Sequence, residues 1–112
     1  MANRAVILNG AAITGPIDLR GSILTAIQFP AAWTAADISI QIGETETGAF
    51  AEVFTDPGTG VGTVGAWDAN SGQVVLIAAM IGNCFVKIRS GPSGAPVNQG
   101  ADRALVLHTI PI

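Results

Sequence analysis

The stretch CFVKIRSGPSGAPVNQGADRALVLHTI, residues 84–110, decides the architecture. Its first seven residues alternate: Cys84, Val86 and Ile88 point one way, and Phe85, Lys87 and Arg89 the other. Its last eight do the same, with Leu105, Leu107 and Thr109 opposing Ala104, Val106 and His108. Successive side chains of an extended chain project to opposite faces, so a period of two predicts a strand with one face toward a core. SGPSGAP, residues 90–96, separates the two segments. Glycine there supplies positive φ and proline fixes φ near −65°, which reverses or diverts the chain.

The same alternation recurs upstream. In DISIQI, 37–42, Ile38, Ile40 and Ile42 oppose Ser39 and Gln41. SILTAIQF, 22–29, places Ile23, Thr25, Ile27 and Phe29 on one side. Turn signals punctuate these runs at Asn9-Gly10, at 14–16, at 56–60 and at 70–72. No window of a dozen residues carries a helical apolar stripe free of glycine and proline. Seven strands are predicted, at 4–8, 22–29, 37–42, 50–54, 73–79, 84–90 and 103–110. PAAWTAAD, 30–37, predicts one short helical turn with Pro30 at its start. The expected fold is all-β: a single antiparallel β-sandwich domain over residues 1–112, jelly-roll-like, its last strand completing a sheet.

Composition narrows the function. The 112 residues include 5 Lys and Arg and 8 Asp and Glu, 12% charged against a usual value near 25%. A folded chain of this mass exposes about 5,700 Å², so each charge must serve a large area of surface. Either the domain is simply rich in alanine and glycine, or its exposed apolar surface lies against other proteins; the deficit runs along most of the chain and favours assembly. The net charge of −3 opposes a nucleic-acid role that depends on phosphate neutralisation. No Lys or Arg lies between Arg20 and Lys87, a span holding six acids, which reads as a solvated acidic face or one steered toward a basic partner. The one cysteine, Cys84, allows no intrachain disulfide, fits synthesis in a reducing cytosol, and supplies too few thiolates for a cysteine metal site. The longest apolar run, Val74 to Ile81, is too short to span a membrane, and the apolar run within the first ten residues is too short for the apolar region of a signal peptide.

Chemical motifs are weak. Gly60, Gly62 and Gly65 match Gly-x-Gly-x-x-Gly, but a turn, AWDANSGQ, follows where a dinucleotide site needs a helix. His108, the single histidine, shares a strand face with Ala104 and Val106 and reads as structural or exposed; catalysis would need a nucleophile oriented beside it. Cys84, in an apolar run, reads as a small core residue. DANSG, 68–72, resembles the opening of a calcium loop, yet its twelfth position is Ala79 rather than an acid. No enzyme is expected. Trp33, between alanines ahead of a strand, reads as core, whereas Trp67 in a glycine-rich loop is the candidate for stacking on a sugar. Lys87 and Arg89 share a strand face, and Asp102 beside Arg103 is placed to pair with either, which would orient the loop 90–100.

Two stretches, FPAAWTAADISIQIG (29–43) and FVKIRSGPSGAPVNQGADRALVLH (85–108), resemble a pattern in small tailed-phage virion proteins of the head decoration or cement type and in head-fibre bases. That pattern also carries an Asp-Gly hairpin after the first stretch, where this chain has Thr47-Gly48. The resemblance implies a jelly-roll-like sandwich that binds the capsid shell, often as a trimer, with no catalytic residue to carry over and no cofactor or metal. The expected partners are the major capsid protein and further copies of the chain, with no nucleic acid and no membrane. The expected location is the capsid surface of a virion, after synthesis in the host cytoplasm. Candidate contacts lie in segment 1–16 (Val6, Leu8, Ile13) and loop 90–100 (Pro92, Pro96, Val97, Gln99), both poor in charge. The alternatives are a carbohydrate-binding module of a fibre or spike, using Trp67, and a neck or tail structural protein.

Overall fold

A computed structural model describes residues 2–55, 63–64, 71–77, 81–92 and 94–112. Ten strands occur in it: β1 (Ala2–Ile7), β2 (Ile17–Asp18), β3 (Ser22–Gln28), β4 (Ile38–Gly43), β5 (Phe50–Glu52), β6 (Phe54–Thr55), β7 (Thr63–Val64), β8 (Val74–Leu76), β9 (Phe85–Ser90) and β10 (Arg103–Pro111). Each of the seven predicted segments holds one of them. Eight form two four-stranded antiparallel sheets, ordered β1-β10-β3-β8 and β2-β9-β4-β5, and β6 and β7 make a separate hairpin.

The connectivity is that of a jelly roll. Leaving the β6–β7 hairpin aside, the first strand pairs with the last, the second with the second from last, β3 with β8, and β4 with β5. The chain is thus one long folded ribbon, and cross-ribbon pairs β10–β3 and β4–β9 wrap it into two layers. Isoleucine and leucine from both layers meet between them: Ile7, Leu24, Ile27, Leu105 and Leu107 from one sheet, and Ile38, Ile40, Val86 and Ile88 from the other, all fully buried. Each such side chain contributes about 1.5–3 kcal/mol by leaving water.

The predicted face of β3 is corrected by a bulge. His108 pairs with Ala26 and Thr109 with Leu24, so Thr25 has no opposite number. An extra residue shifts the alternation by one. Leu24 and Ile27 therefore both point inward, while Ile23 turns outward beside Ile110. The Thr25 hydroxyl donates to the His108 carbonyl at 2.9 Å, fixing the site of the shift.

The helical turn expected at 30–37 does not form: these residues are bends and irregular chain, and the described residues contain no helix. Trp33 is buried as expected, its ring edge-on to Phe29 at 4.8 Å. β2, with two residues, and the β6–β7 hairpin were not anticipated, because a two-residue strand has no period to read.

Candidate interaction surface

The register of the first sheet places its outward side chains. One row across the sheet is Arg4, Val106, Gln28 and Val74; the next is His108, Ala26 and Leu76; Val6 with Ala104 and Ile110 with Ile23 complete it. Directly paired residues of antiparallel strands share a face. Leu76 is 77% exposed, Val74 and Ile110 each 51%, and Val6 42%. Leu8, just past β1, and Ile112, just past β10, are also largely exposed. Arg4 is the only charged side chain in these rows. Scattered exposed apolar residues are ordinary in a folded protein; several on one sheet face mark a candidate contact surface, here with the exposed Gln28 and the half-buried His108 between those of β1 and those of β8.

The outer face of the second sheet is built otherwise, from polar groups bonded to one another, although the buried Arg89 Nε has no hydrogen-bond partner among the described residues. The Arg89 guanidinium donates two bonds to the Glu52 carboxylate, at 2.7 and 2.6 Å, with the Arg89 side chain only 8% exposed. Gln41, paired with both Glu52 and Lys87, donates to the same carboxylate at 2.8 Å. The Lys87 ammonium sits 4.3 Å from the Phe50 ring centre, and the Arg20 guanidinium 4.8 Å from that of Phe85. Asp18 accepts two side-chain bonds from Arg20, which bring its carboxyl down to about 2. Three of the five cations thus lie on this sheet.

Loops at one end of the sandwich are held by a brace. The Gln99 side chain, 1% exposed, accepts from the Thr34 backbone N–H at 2.9 Å and donates to the Thr34 carbonyl at 3.1 Å. Arg103 Nε donates to the same amide oxygen at 3.2 Å. The Gln99 backbone bonds Gly10 and Ala11, which ties down the start of the chain. Gly91 donates to Asp37, and its carbonyl accepts from Ser39. Gly91 has φ +88°, and a Cβ there would meet the Ala95 carbonyl at 2.8 Å, so only glycine fits. The two stretches singled out in the sequence are therefore one bonded unit.

Against the expected contacts, Val6 lies on the apolar face and Leu8 beside it, both exposed. Pro92 and Pro96 are exposed in the loop after β9, and Val97 is half-buried with its N–H on Ser90. Ile13 is half-buried and bridges Arg89. Gln99 is enclosed, its amide bonded to Thr34 within the fold, where it braces the loops. Asp102 pairs with neither Lys87 nor Arg89; it accepts from the Asn9 backbone N–H at 2.8 Å. Trp67, Gly60, Gly62, Gly65 and Asp68–Asn70 lie outside the described residues. Cys84 is half-buried against the core, and burial raises its thiol pKa. It belongs to the second sheet's side, and His108 points outward from the first, with Nε2 3.3 Å from Gln28 Oε1, so the two do not form a pair. Among the described residues no group of three or more His, Cys, Asp or Glu is placed to hold a metal ion. Among the described residues no helix is long and apolar enough to cross a membrane.

Sequence reasoning passed over Val74, Leu76 and Ile110. The signal was present in β10, where Leu105 and Leu107 face inward while Ala104 and Val106 face outward. A strand apolar on both faces is one that expects cover on both faces. Compared with known proteins, the chain matches no family model, no curated protein and no solved structure.

Proposed function

We propose that this chain is a structural protein of a tailed-phage head, a decoration or cement protein that lays the apolar face of its first sheet on the capsid shell. The observation that carries the reading is the contrast between the two outer faces. One is closed by its own ion pair and cation–ring contacts; the other leaves Val6, Val74, Leu76 and Ile110 in water. A face of this kind gains free energy when a protein surface covers it, at about 25 cal/mol per Å² of apolar area.

Two further points support the phage assignment. The stretches that resemble the virion pattern are those joined by Gln99, Ser39 and Gly91, so the recurring residues serve one architectural unit. Jelly rolls also recur in viral capsid and lectin domains, an analogy of fold alone. The mechanism is additive burial. Each copy covers a seam between major capsid protein subunits, specific contacts of this kind bury about 1,600 Å² in total, and several linked copies convert modest contacts into strong ones. A homotrimer would supply that linkage.

The test is a virion preparation with and without the protein. Hundreds of copies per particle and loss of heat resistance on its removal are expected. Heads whose heat stability does not change, or a copy number of six or twelve, which denotes a neck component, would overturn the reading.

A further inference from the structure

The free edge of β1 has a groove beside it. We infer that this groove binds an extended, acid-bearing peptide segment of a partner chain, which adds a strand to the first sheet. β1 is six residues long and, among the described residues, pairs only with β10. An edge strand presents a row of unpaired N–H and C=O groups, a template for another strand. The other sheet edges, β2, β5 and β8, offer two or three residues each, so β1 is the longest such template.

A cavity of about 420 Å³ runs along this edge, with Arg4, Ala5 and Val6 on one side and residues 14–18 on the other. That volume lies within the range of binding clefts. Among the described residues no backbone hydrogen bond crosses it. The far wall is held from behind: the Thr14 N–H donates to the Ile88 carbonyl at 2.9 Å, and Ile17 pairs with Val86. The gap is therefore maintained by the second sheet rather than left by a loose loop.

Charge selects the occupant. The Asp18 carboxylate is neutralised by Arg20, whereas Arg4, exposed, makes no ion pair among the described residues. The groove's one uncompensated charge is positive, so an Asp or Glu on the incoming strand is favoured. This site does not depend on the outer face of the sheet and would serve any partner with such an arm.

The test uses an array of eight-residue peptides of alternating Thr and Val carrying one Asp, one Lys or one Asn at each position. Binding to the full chain is read by fluorescence anisotropy and by amide shifts in NMR spectra. The Asp series is expected to bind tighter than the Lys series by up to about fivefold, the upper end for one exposed ion pair. Shift changes should be confined to residues 4–6 and 14–18. Arg4→Glu, an exposed substitution that leaves the core untouched, should reverse the preference. N-methylation of alternate peptide amides should abolish binding in one of the two frames. Shift changes elsewhere, no shift changes at millimolar peptide, or equal binding of the Asp and Lys series would each overturn the inference. None of these results bears on whether the apolar face meets a capsid.

Discussion

Arg89 and Glu52 face each other across β4, each paired to a different residue of that strand, and their side chains meet through two nearly parallel hydrogen bonds above it. Gln41 holds the carboxylate from a third side. Removing the carboxylate would leave a guanidinium that is 8% exposed without its counter-ion. Breaking one side of a buried pair costs about 3–5 kcal/mol, whereas replacing both partners with apolar groups is often close to neutral. Glu52→Ala is expected to destabilise the domain by about 3 kcal/mol, the lower bound because Glu52 retains some contact with water. The double change Arg89→Met with Glu52→Leu should recover most of the loss. Urea denaturation of the unsubstituted chain, Glu52→Ala and the double variant measures both; equal losses in the single and double variants would show that the pair is not the source.

Gln99 does for the loops what the ion pair does for the sheet. Gln99→Ala removes the acceptor for the Thr34 N–H and for Arg103 and the donor for the Thr34 carbonyl. Buried groups left unsatisfied cost about 1–3 kcal/mol each. The expected loss is about 2–3 kcal/mol, with faster amide exchange at Gly10 and Thr34. Gln99→Glu should be no better than alanine, since its carboxylate would face the Thr34 carbonyl. Unchanged exchange at Gly10 and Thr34 in either variant would refute the brace.

How much of this was legible follows from what each residue's environment depends on. β4, β9 and β10 keep a strict period of two, and their inward sets, Ile38 with Ile40, Val86 with Ile88, and Leu105 with Leu107, were read from spacing alone. β3 was misread because one extra residue, Thr25, resets the phase, and only its partner strand reveals the extra residue. Gln99 reads from the sequence as a contact of the charge-poor loop 90–100; its burial depends on Thr34, 65 positions away. Ser39 is likewise enclosed against expectation, through its bond to Gly91. The apolar outer face is partly visible in Val6 and Leu8, but that Val106, Val74 and Leu76 share the face with them is a property of register, which no single segment contains.

Asp18 gives the domain an acid response that can be assigned to one residue. Hydrogen bonds from Arg20 bring its carboxyl from 3.8 to about 2. A carboxyl whose folded pKa lies below its unfolded value adds stability that is fully present above the unfolded pKa and is lost as pH falls through the folded one. The window is therefore from about pH 4 down to about pH 2. The pair is exposed, so the contribution is small and falls with added salt. Following the Asp18 carboxyl by NMR should give a midpoint near 2, and Arg20→Ala should return it toward 3.8. A midpoint unmoved by that substitution would assign the shift to another cause.

The outer face of the first sheet separates folding from assembly, because the same strands carry both. Leu24 and Leu76 lie on adjacent strands, one fully buried and the other 77% exposed. Leu24→Ala opens the core and should cost about 2–5 kcal/mol. Leu76→Lys places a charge where water already reaches, and exposed substitutions of this type stay within about 0.5 kcal/mol. If the face is a contact surface, Leu76→Lys should nevertheless abolish self-association in sedimentation experiments, or binding to heads that lack the protein, and Val6→Lys should do so too. Lysine desolvated at an apolar interface without a partner is costly, which makes the effect on assembly large while the fold is untouched. A lysine at Ala51, exposed on β5 of the second sheet, should leave assembly unchanged. If Ala51→Lys and Leu76→Lys behaved alike, the difference between the two sheets would have no bearing on what the protein joins.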